Sequence, residues 1–379
     1  MSSYNYTLLR IWGIPIRINI SLLIFLPALA WLIGSGEQIA AYSSLINSVT
    51  PATVDPATLD GPNDRWIIGA TAAIGLFGSV TFHELGHAWA AMRYDIEVES
   101  ITLWLLGGLA ALSSMPEEWN QEFWIAIAGP ISSLVLAAGC LGALLVVPES
   151  AILLVYIVGF VAVMNIVLAV FNLLPAFPMD GGRVLRALLA RNRPYVSATQ
   201  TAARIGTLFA FLFVFVGIFV VFSPLLLLLA LFIYMAATGE SRSVVIAELL
   251  SGLTVADLIA DIEPVHEDTP VEEAFSRLFG SRRSDLAVVD DRGDIVGVLT
   301  ASALKEIPRD EYATRTVGEV QRADLPRIDG ETTAADGLYE LMRGRADVAI
   351  VERDGAAVGL VSRADFSSAL DLRRESVPF

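Results

Sequence analysis

For roughly its first 240 residues the chain alternates between apolar runs and short polar interruptions, and then its character changes. Residues 18–33 are apolar and read as a first span. Residues 37–64 are polar, carry Pro51, Pro56 and Pro62, and read as an irregular loop. Residues 66–91 form a second apolar run, yet they hold His83, Glu84 and His87. Residues 97–113 are short and alternating, with Gly107-Gly108 in the middle, and predict a strand pair or re-entrant hairpin rather than a span. Residues 123–147 and 151–174 read as a third and a fourth span, and Pro175 and Pro178 end the fourth. Residues 205–222 and 225–237 give a fifth and a shorter sixth, separated by Pro224. A span needs about 20 apolar residues, so the sixth carries the weakest signal. The pattern predicts a polytopic α-helical membrane protein over residues 1–240, with about six transmembrane helices and a short β-hairpin or sheet.

The remaining chain is soluble in character and repeats itself. Asp285-Leu-Ala-Val-Val-Asp-Asp-Arg-Gly293 returns 62 residues later as Asp347-Val-Ala-Ile-Val-Glu-Arg-Asp-Gly355. Ile295-Val-Gly-Val-Leu-Thr300 returns as Ala357-Val-Gly-Leu-Val-Ser362 at the same offset. Each copy reads helix, strand–turn–strand, helix, an α+β unit too small to bury its own core. The copies are expected over 251–310 and 311–379, packed as a pair.

Composition sharpens this picture. The 379 residues are 55% hydrophobic and 17% charged, with a mean hydropathy of +0.61. That excludes a disordered chain and disfavours a single soluble domain. The net charge is −16, and Lys305 is the sole lysine. Such a chain is a poor nucleic-acid binder, because phosphates need clustered cations; the arginine-for-lysine, acidic surface suits a cytoplasm of high salt. Cys140 is the one cysteine, which excludes an intramolecular disulfide and a thiolate zinc cluster; it reads as a small packing residue.

Arg10 and Arg17 precede the first run, but no small-residue cleavage site ends it, so no cleavable signal peptide is expected. Arg93 follows the second span, and Arg183, Arg186, Arg191, Arg193 and Arg204 crowd the loop after the fourth. By the positive-inside rule that loop, the N-terminus and the tail face the cytoplasm. The expected location is the cell membrane.

His83-Glu-Leu-Gly-His87 is the sharpest chemical signal. On a helix, i and i+4 share a face, so both imidazoles can bind one ion, and Glu84 is placed to act as general base on a water. A catalytic site needs a third protein ligand and one open position. The remaining histidine, His266, lies in the tail and cysteine is unavailable, so a carboxylate is expected. Asp180 is the natural candidate, where two prolines break the fourth span before Gly181-Gly182. Carboxylates and imidazoles at membrane depth are expensive, and functional by default.

His83–His87 together with Asn172-Leu-Leu-Pro-Ala-Phe-Pro-Met-Asp180-Gly-Gly resembles the site-2 protease family of intramembrane zinc metalloproteases. The resemblance covers about the first 240 residues. It implies that His83, His87 and Asp180 hold one Zn2+ and that Glu84 is the catalytic base. It also implies cleavage of a membrane-embedded helix, that of a single-span protein, near the cytoplasmic side. Asn172 matches the asparagine that in the family steadies substrate or oxyanion; a helix C-cap is the alternative. Gly107-Gly108 resembles the family's sheet motif that pairs with extended substrate, a use of an exposed strand edge. Gly129-Pro130 reads as packing.

The tail resembles a tandem pair of CBS domains, which often bind adenine nucleotides such as AMP or ATP. In that pattern Gly359, Ser362 and Asp365 of the second copy contact phosphate and ribose. The first copy has Gly297 and Thr300, but Ala303 replaces the aspartate, so one nucleotide site is expected rather than two. The alternative is that the pair only packs or forms a homodimer. Two other functions compete with the protease: a CBS-regulated divalent-cation transporter or channel, and a non-catalytic scaffold. Glu84 discriminates, since transport needs no base beside a three-ligand site.

Overall fold

A computed structural model describes the chain except residues 1–4, 51, 60, 62, 106, 114–115, 117, 260–262, 281–284, 345 and 377–379. It divides into two units, residues 1–241 and 242–379.

The first unit is built from helices around one small sheet. Strands β1 (Asn5–Ile11), β2 (Ile14–Asn19), β3 (Val98–Trp104) and β4 (Gly107–Leu112) lie in the order β1-β2-β3-β4. The β2–β3 pair is parallel and the other two are antiparallel. The β3–β4 hairpin is where the alternating pattern of 97–113 puts it, and β4 is a sheet edge. The β1–β2 hairpin was not expected. Its turn uses Trp12 and Gly13, both at positive φ, and its second strand buries Ile14 and Ile16 with Ala88, Ala91 and, on β3, Ile101.

Helices α1 (Ile20–Ile33), α2 (Gly36–Val49), α3 (Asp64–Met92), α4 (Trp119–Leu144), α5 (Ile152–Asn172), α6 (Asp180–Ala190), α7 (Tyr195–Phe219) and α8 (Pro224–Leu249) follow in chain order. Five of them, α3, α4, α5, α7 and α8, are long and apolar enough to cross a membrane. The expected first span is broken: α1 is long and apolar enough only together with α2, and counted as one bent span the pair brings the number to six. A helix of 14 residues is about 21 Å long, short of a bilayer's ~30 Å. It is followed at once by α2, bent by 74° from it.

The expected irregular loop over 37–64 is therefore corrected: most of its first half is α2, and Pro56–Leu59 is a 3-10 turn. Pro51 and Pro62 lie outside the described residues. Polarity misled because only one face of α2 is apolar. Ile39, Tyr42 and Ile46 recur at helical spacing and pack on Tyr156 and Phe160 of α5. Tyr42 meets Phe160 edge-on at 5.0 Å. The last two helices also begin or end beyond their apolar runs, since Arg204 lies within α7, and Glu240 and Arg242 within α8.

The second unit contains β5 (Val265–His266), α9 (Val271–Gly280), β6 (Asp285–Val289), β7 (Ile295–Thr300), α10 (Ala301–Lys305), α11 (Val317–Val320), β8 (Arg327–Asp329), α12 (Ala334–Arg343), β9 (Val348–Arg353), β10 (Ala356–Ser362) and α13 (Arg363–Ser376). Two three-stranded sheets result, β5-β6-β7 and β10-β9-β8. In each, the hairpin is antiparallel and the first strand runs parallel to the middle one.

Neither core is made by one contiguous copy. Leu250, just ahead of the first copy, and Val255 and Leu258 at its start pack into the core of the second with Ile328, Leu341 and Phe366. The Val255 and Ala256 amides donate to the Thr332 and Gly330 carbonyls. Val317, past the first copy, packs with Val265 and Val271, and its amide donates to the Thr269 carbonyl.

The α2 face gives a paired prediction. Ile46 is fully buried and Leu45 is exposed. Ile46→Ala is expected to cost about 2–5 kcal/mol, and Leu45→Ala less than about 0.5, by thermal unfolding in detergent. Equal effects would refute a packed helix at 36–49.

Candidate metal centre

Helix α3 puts His83 and His87 on one face, a turn apart. Helix α6 starts at Asp180, immediately after the double-proline break. The two meet: Asp180 Oδ2 is 3.1 Å from His83 Nε2 and 3.2 Å from His87 Nε2, and the two imidazole nitrogens are 3.2 Å apart. All three side chains are buried or nearly so.

The outer nitrogens are also held. His87 Nδ1 is 2.7 Å from the Ile125 carbonyl of α4. A carbonyl only accepts, so Nδ1 carries the proton and Nε2 presents a bare lone pair. His83 Nδ1 is 2.9 Å from Ser133 Oγ, also on α4. Lone pairs and a carboxylate oxygen this close repel unless a proton or cation lies among them. Two nitrogens and one oxygen suit zinc in a three-ligand catalytic site. The surroundings fit an ion as well. A Cβ on Gly129 would stand 2.2 Å from His87 Nε2 and 2.7 Å from His83 Nε2. Gly129 therefore does more than pack helices: its missing side chain is the space in front of both donor atoms.

Glu84 lies one residue round α3 and is half-buried. Its carboxylate has no hydrogen bond or ion pair among the described residues, so it is a free acceptor. Gly108 of β4 lies against it, because a Cβ there would meet Glu84 Cγ at 2.5 Å. Gly107 opens the strand at φ +137°, a region closed to L side chains. Asn172 is the last residue of α5, and Leu173, not Asn172, is the C-cap. The Asn172 amide makes no hydrogen bond among the described residues.

The Ile125 carbonyl and Ser133 were not singled out from sequence. The one signal is their spacing with Gly129, four residues to either side, which puts all three on one face of α4.

Both sequence motifs fall within residues 71–152 and 149–213, which match the family model described as peptidase family M50. Residues 255–309 match the CBS domain. Rip3 of Mycobacterium tuberculosis is 31% identical over 388 residues, covering 97% of this chain and 93% of the relative. The chain belongs to peptidase family M50. A zinc metalloprotease of Methanocaldococcus jannaschii is 29% identical over 377 residues, covering 98% of this chain and 97% of that one. The solved structure of a site-2 protease from the same organism is 32% identical and covers 63% of this chain and 96% of its own, with a TM-score of 0.42. This M50 member is a zinc metalloprotease of the site-2 type on a multi-pass membrane scaffold, with a CBS module behind it.

In that module Thr300 and Ser362 come together. Both line one cavity of about 260 Å³ between the two copies, with Ser302, Arg322, Asp347 and Arg363. The other two residues of the nucleotide pattern are not in its lining. Asp365 accepts from the Ser362 amide at 2.8 Å and hydroxyl at 2.7 Å, a capping arrangement at the start of α13. Gly359 packs on Ile259. Thr300 caps α10 by the reciprocal bond, its hydroxyl accepting from the Ala303 amide at 3.2 Å.

Gly129 supplies the test of the donor geometry. Gly129→Ala is expected to push the imidazoles apart and lower bound zinc well below one per chain. Gly139→Ala, on the same helix with open space beside it, is expected to keep it. Metal analysis of the purified proteins reads both.

Proposed function

We propose that this M50 protease cleaves the transmembrane segment of a membrane-anchored, single-span protein near the cytoplasmic face, and that adenine nucleotide bound between the CBS copies adjusts the rate. The observation that carries the reading is the convergence of His83, His87 and Asp180 beside an unpartnered Glu84. The side of the membrane follows from charge: Arg93 directly follows α3, six residues past His87, Arg183 lies in the first turn of α6, and Arg191 and Arg193 follow that helix. Arginine-rich ends face the cytoplasm.

His83, His87 and Asp180 would hold zinc; when bound, it polarises the scissile carbonyl as a Lewis acid and makes a neighbouring water more acidic. Glu84 takes one proton from the attacking water as the new C–O bond forms. It returns that proton to the amide nitrogen as the C–N bond breaks, so the base is regenerated. The Asn172 amide offers uncommitted N–H donors to the carbonyl oxygen or to substrate backbone.

The substrate must first lose its helix, because helical peptide groups are shielded by their own hydrogen bonds. The β4 edge provides replacement partners for the exposed N–H and C=O groups. Its Gly108 lies against Glu84, so a strand added there brings a peptide bond to the base.

In the cavity between the CBS copies, Arg322 and Arg363 would face phosphates, and the Thr300 and Ser362 hydroxyls complete the polar lining. Arg363 is shared with Asp347 at 3.5 Å; Arg322 has no ion pair among the described residues.

Glu84→Gln is expected to keep stoichiometric zinc and lose cleavage of a single-span substrate in detergent by at least about 10²-fold, the scale of a lost general base. Retained cleavage would remove Glu84 from the role of base, and absence of zinc from the wild type would end the protease reading of the site. For the CBS pair, the double variant Arg322→Ala/Arg363→Ala is expected to weaken AMP and ATP binding at least tenfold by calorimetry on the full chain. Unchanged affinity would move the nucleotide site elsewhere.

A further inference from the structure

Arg186 lies on α6, six residues after Asp180, and is 3% exposed. A cation so deep in the apolar unit is costly unless fully paired. Its Nε donates to Glu122 Oε1 at 2.7 Å, its second terminal nitrogen lies 2.5 Å from the same oxygen, and its first donates to Glu240 Oε1 at 2.5 Å. The guanidinium also lies over the rings of Phe177 at 5.1 Å and Tyr195 at 4.9 Å. One side chain thus clamps the first turn of α4, the first turn of α7, the double-proline loop and α8.

These attachments lead back to the metal centre from two directions. Glu122 is three residues before Ile125 on α4, and the Ile125 carbonyl holds His87. Phe177 belongs to the loop that delivers Asp180. The start of α6 sits directly on that loop, since a Cβ on Gly182 would stand 2.7 Å from Phe177 N. Apolar side chains of equal volume would pack the same space without the desolvation cost. What the charged fork adds is direction: five fixed donors set the rotation of α6 against α4 and α8 in a way that methyl groups do not.

We propose that Arg186 is a positioning residue for the metal centre. Held by Glu122 and Glu240, it sets the rotation and height of α6, and so where the Asp180 carboxylate stands against His83 and His87. The inference rests on the reading that those three residues hold the ion.

The test uses the full chain in detergent and reads metal rather than turnover. Zinc affinity is measured by competition with a chromophoric chelator, and ligand geometry by the visible spectrum of the cobalt-substituted protein. Far-UV circular dichroism and thermal unfolding report the fold. Three variants decide. Arg186→Lys keeps a charge but loses the fork. The triple variant Arg186→Met/Glu122→Gln/Glu240→Gln removes every charge, leaving no orphaned carboxylate to unfold the unit. Asp180→Asn is the control for the site itself.

Arg186→Lys and the triple variant are expected to fold, to bind zinc about 10–100-fold more weakly, the range for lost outer-shell support, and to shift the cobalt bands. Wild-type affinity and bands in both, with Asp180→Asn impaired, would overturn this inference alone and leave Arg186 a structural residue. Wild-type affinity in Asp180→Asn as well would overturn the metal-site reading, and this inference with it.

Discussion

Three lone-pair atoms, two imidazole nitrogens and one carboxylate oxygen, stand within about 3.2 Å of one another inside an apolar helical unit. Nothing about hydrophobic packing favours that arrangement. It persists only if every other polar end of those side chains is satisfied and the helices carrying them are held rigidly. Much of the first unit reads as a consequence. The Ile125 carbonyl and Ser133 on α4 take the outer imidazole nitrogens. The prolines stop α5 so that a new helix can begin at the carboxylate.

The same constraint shapes where bulk is absent. The space before the histidine donors exists because position 129 lacks a side chain. Beside it, β4 comes against Glu84 through Gly108, which brings a sheet edge and a free carboxylate to the same place. An α-helical membrane unit has few irregular segments, because unsatisfied backbone is so costly there. The β4 edge and the double-proline loop are irregular where they meet the site, at Glu84 and at Asp180.

The second unit solves a different problem. Each copy is too small to close its own core, and the two exchange flanking segments: Leu250–Leu258 residues enter the second core while Val317 enters the first. The pair is thereby a single interlocked body with its cavity along the seam. The Ser362–Asp365 pattern acts as a helix cap, which limits how far a ligand motif can be read from side-chain type alone.

Within the sequence, periodicity and cost carried most of the architecture. Apolar runs placed α3, α4 and α5 because a bilayer leaves a helix little freedom in length or composition. The alternation around Gly107-Gly108 placed the β3–β4 hairpin, and the 62-residue offset placed the tail's repeats. His83, Glu84, His87 and Asp180 were legible because charged or ligating groups inside apolar runs demand a reason. What escaped was decided by partners distant along the chain. Helix α2 looks like a loop until α5 supplies Tyr156 and Phe160 to cover its one apolar face. The β1–β2 hairpin needs β3 beside it. Ile125, Ser133 and Gly129 gain their roles only from the rotation of α4 against α3, and Arg186 from the meeting of three helices at one guanidinium. A local pattern records what a segment needs to bury; which neighbour buries it, and at what angle, is set by the packing of the whole unit.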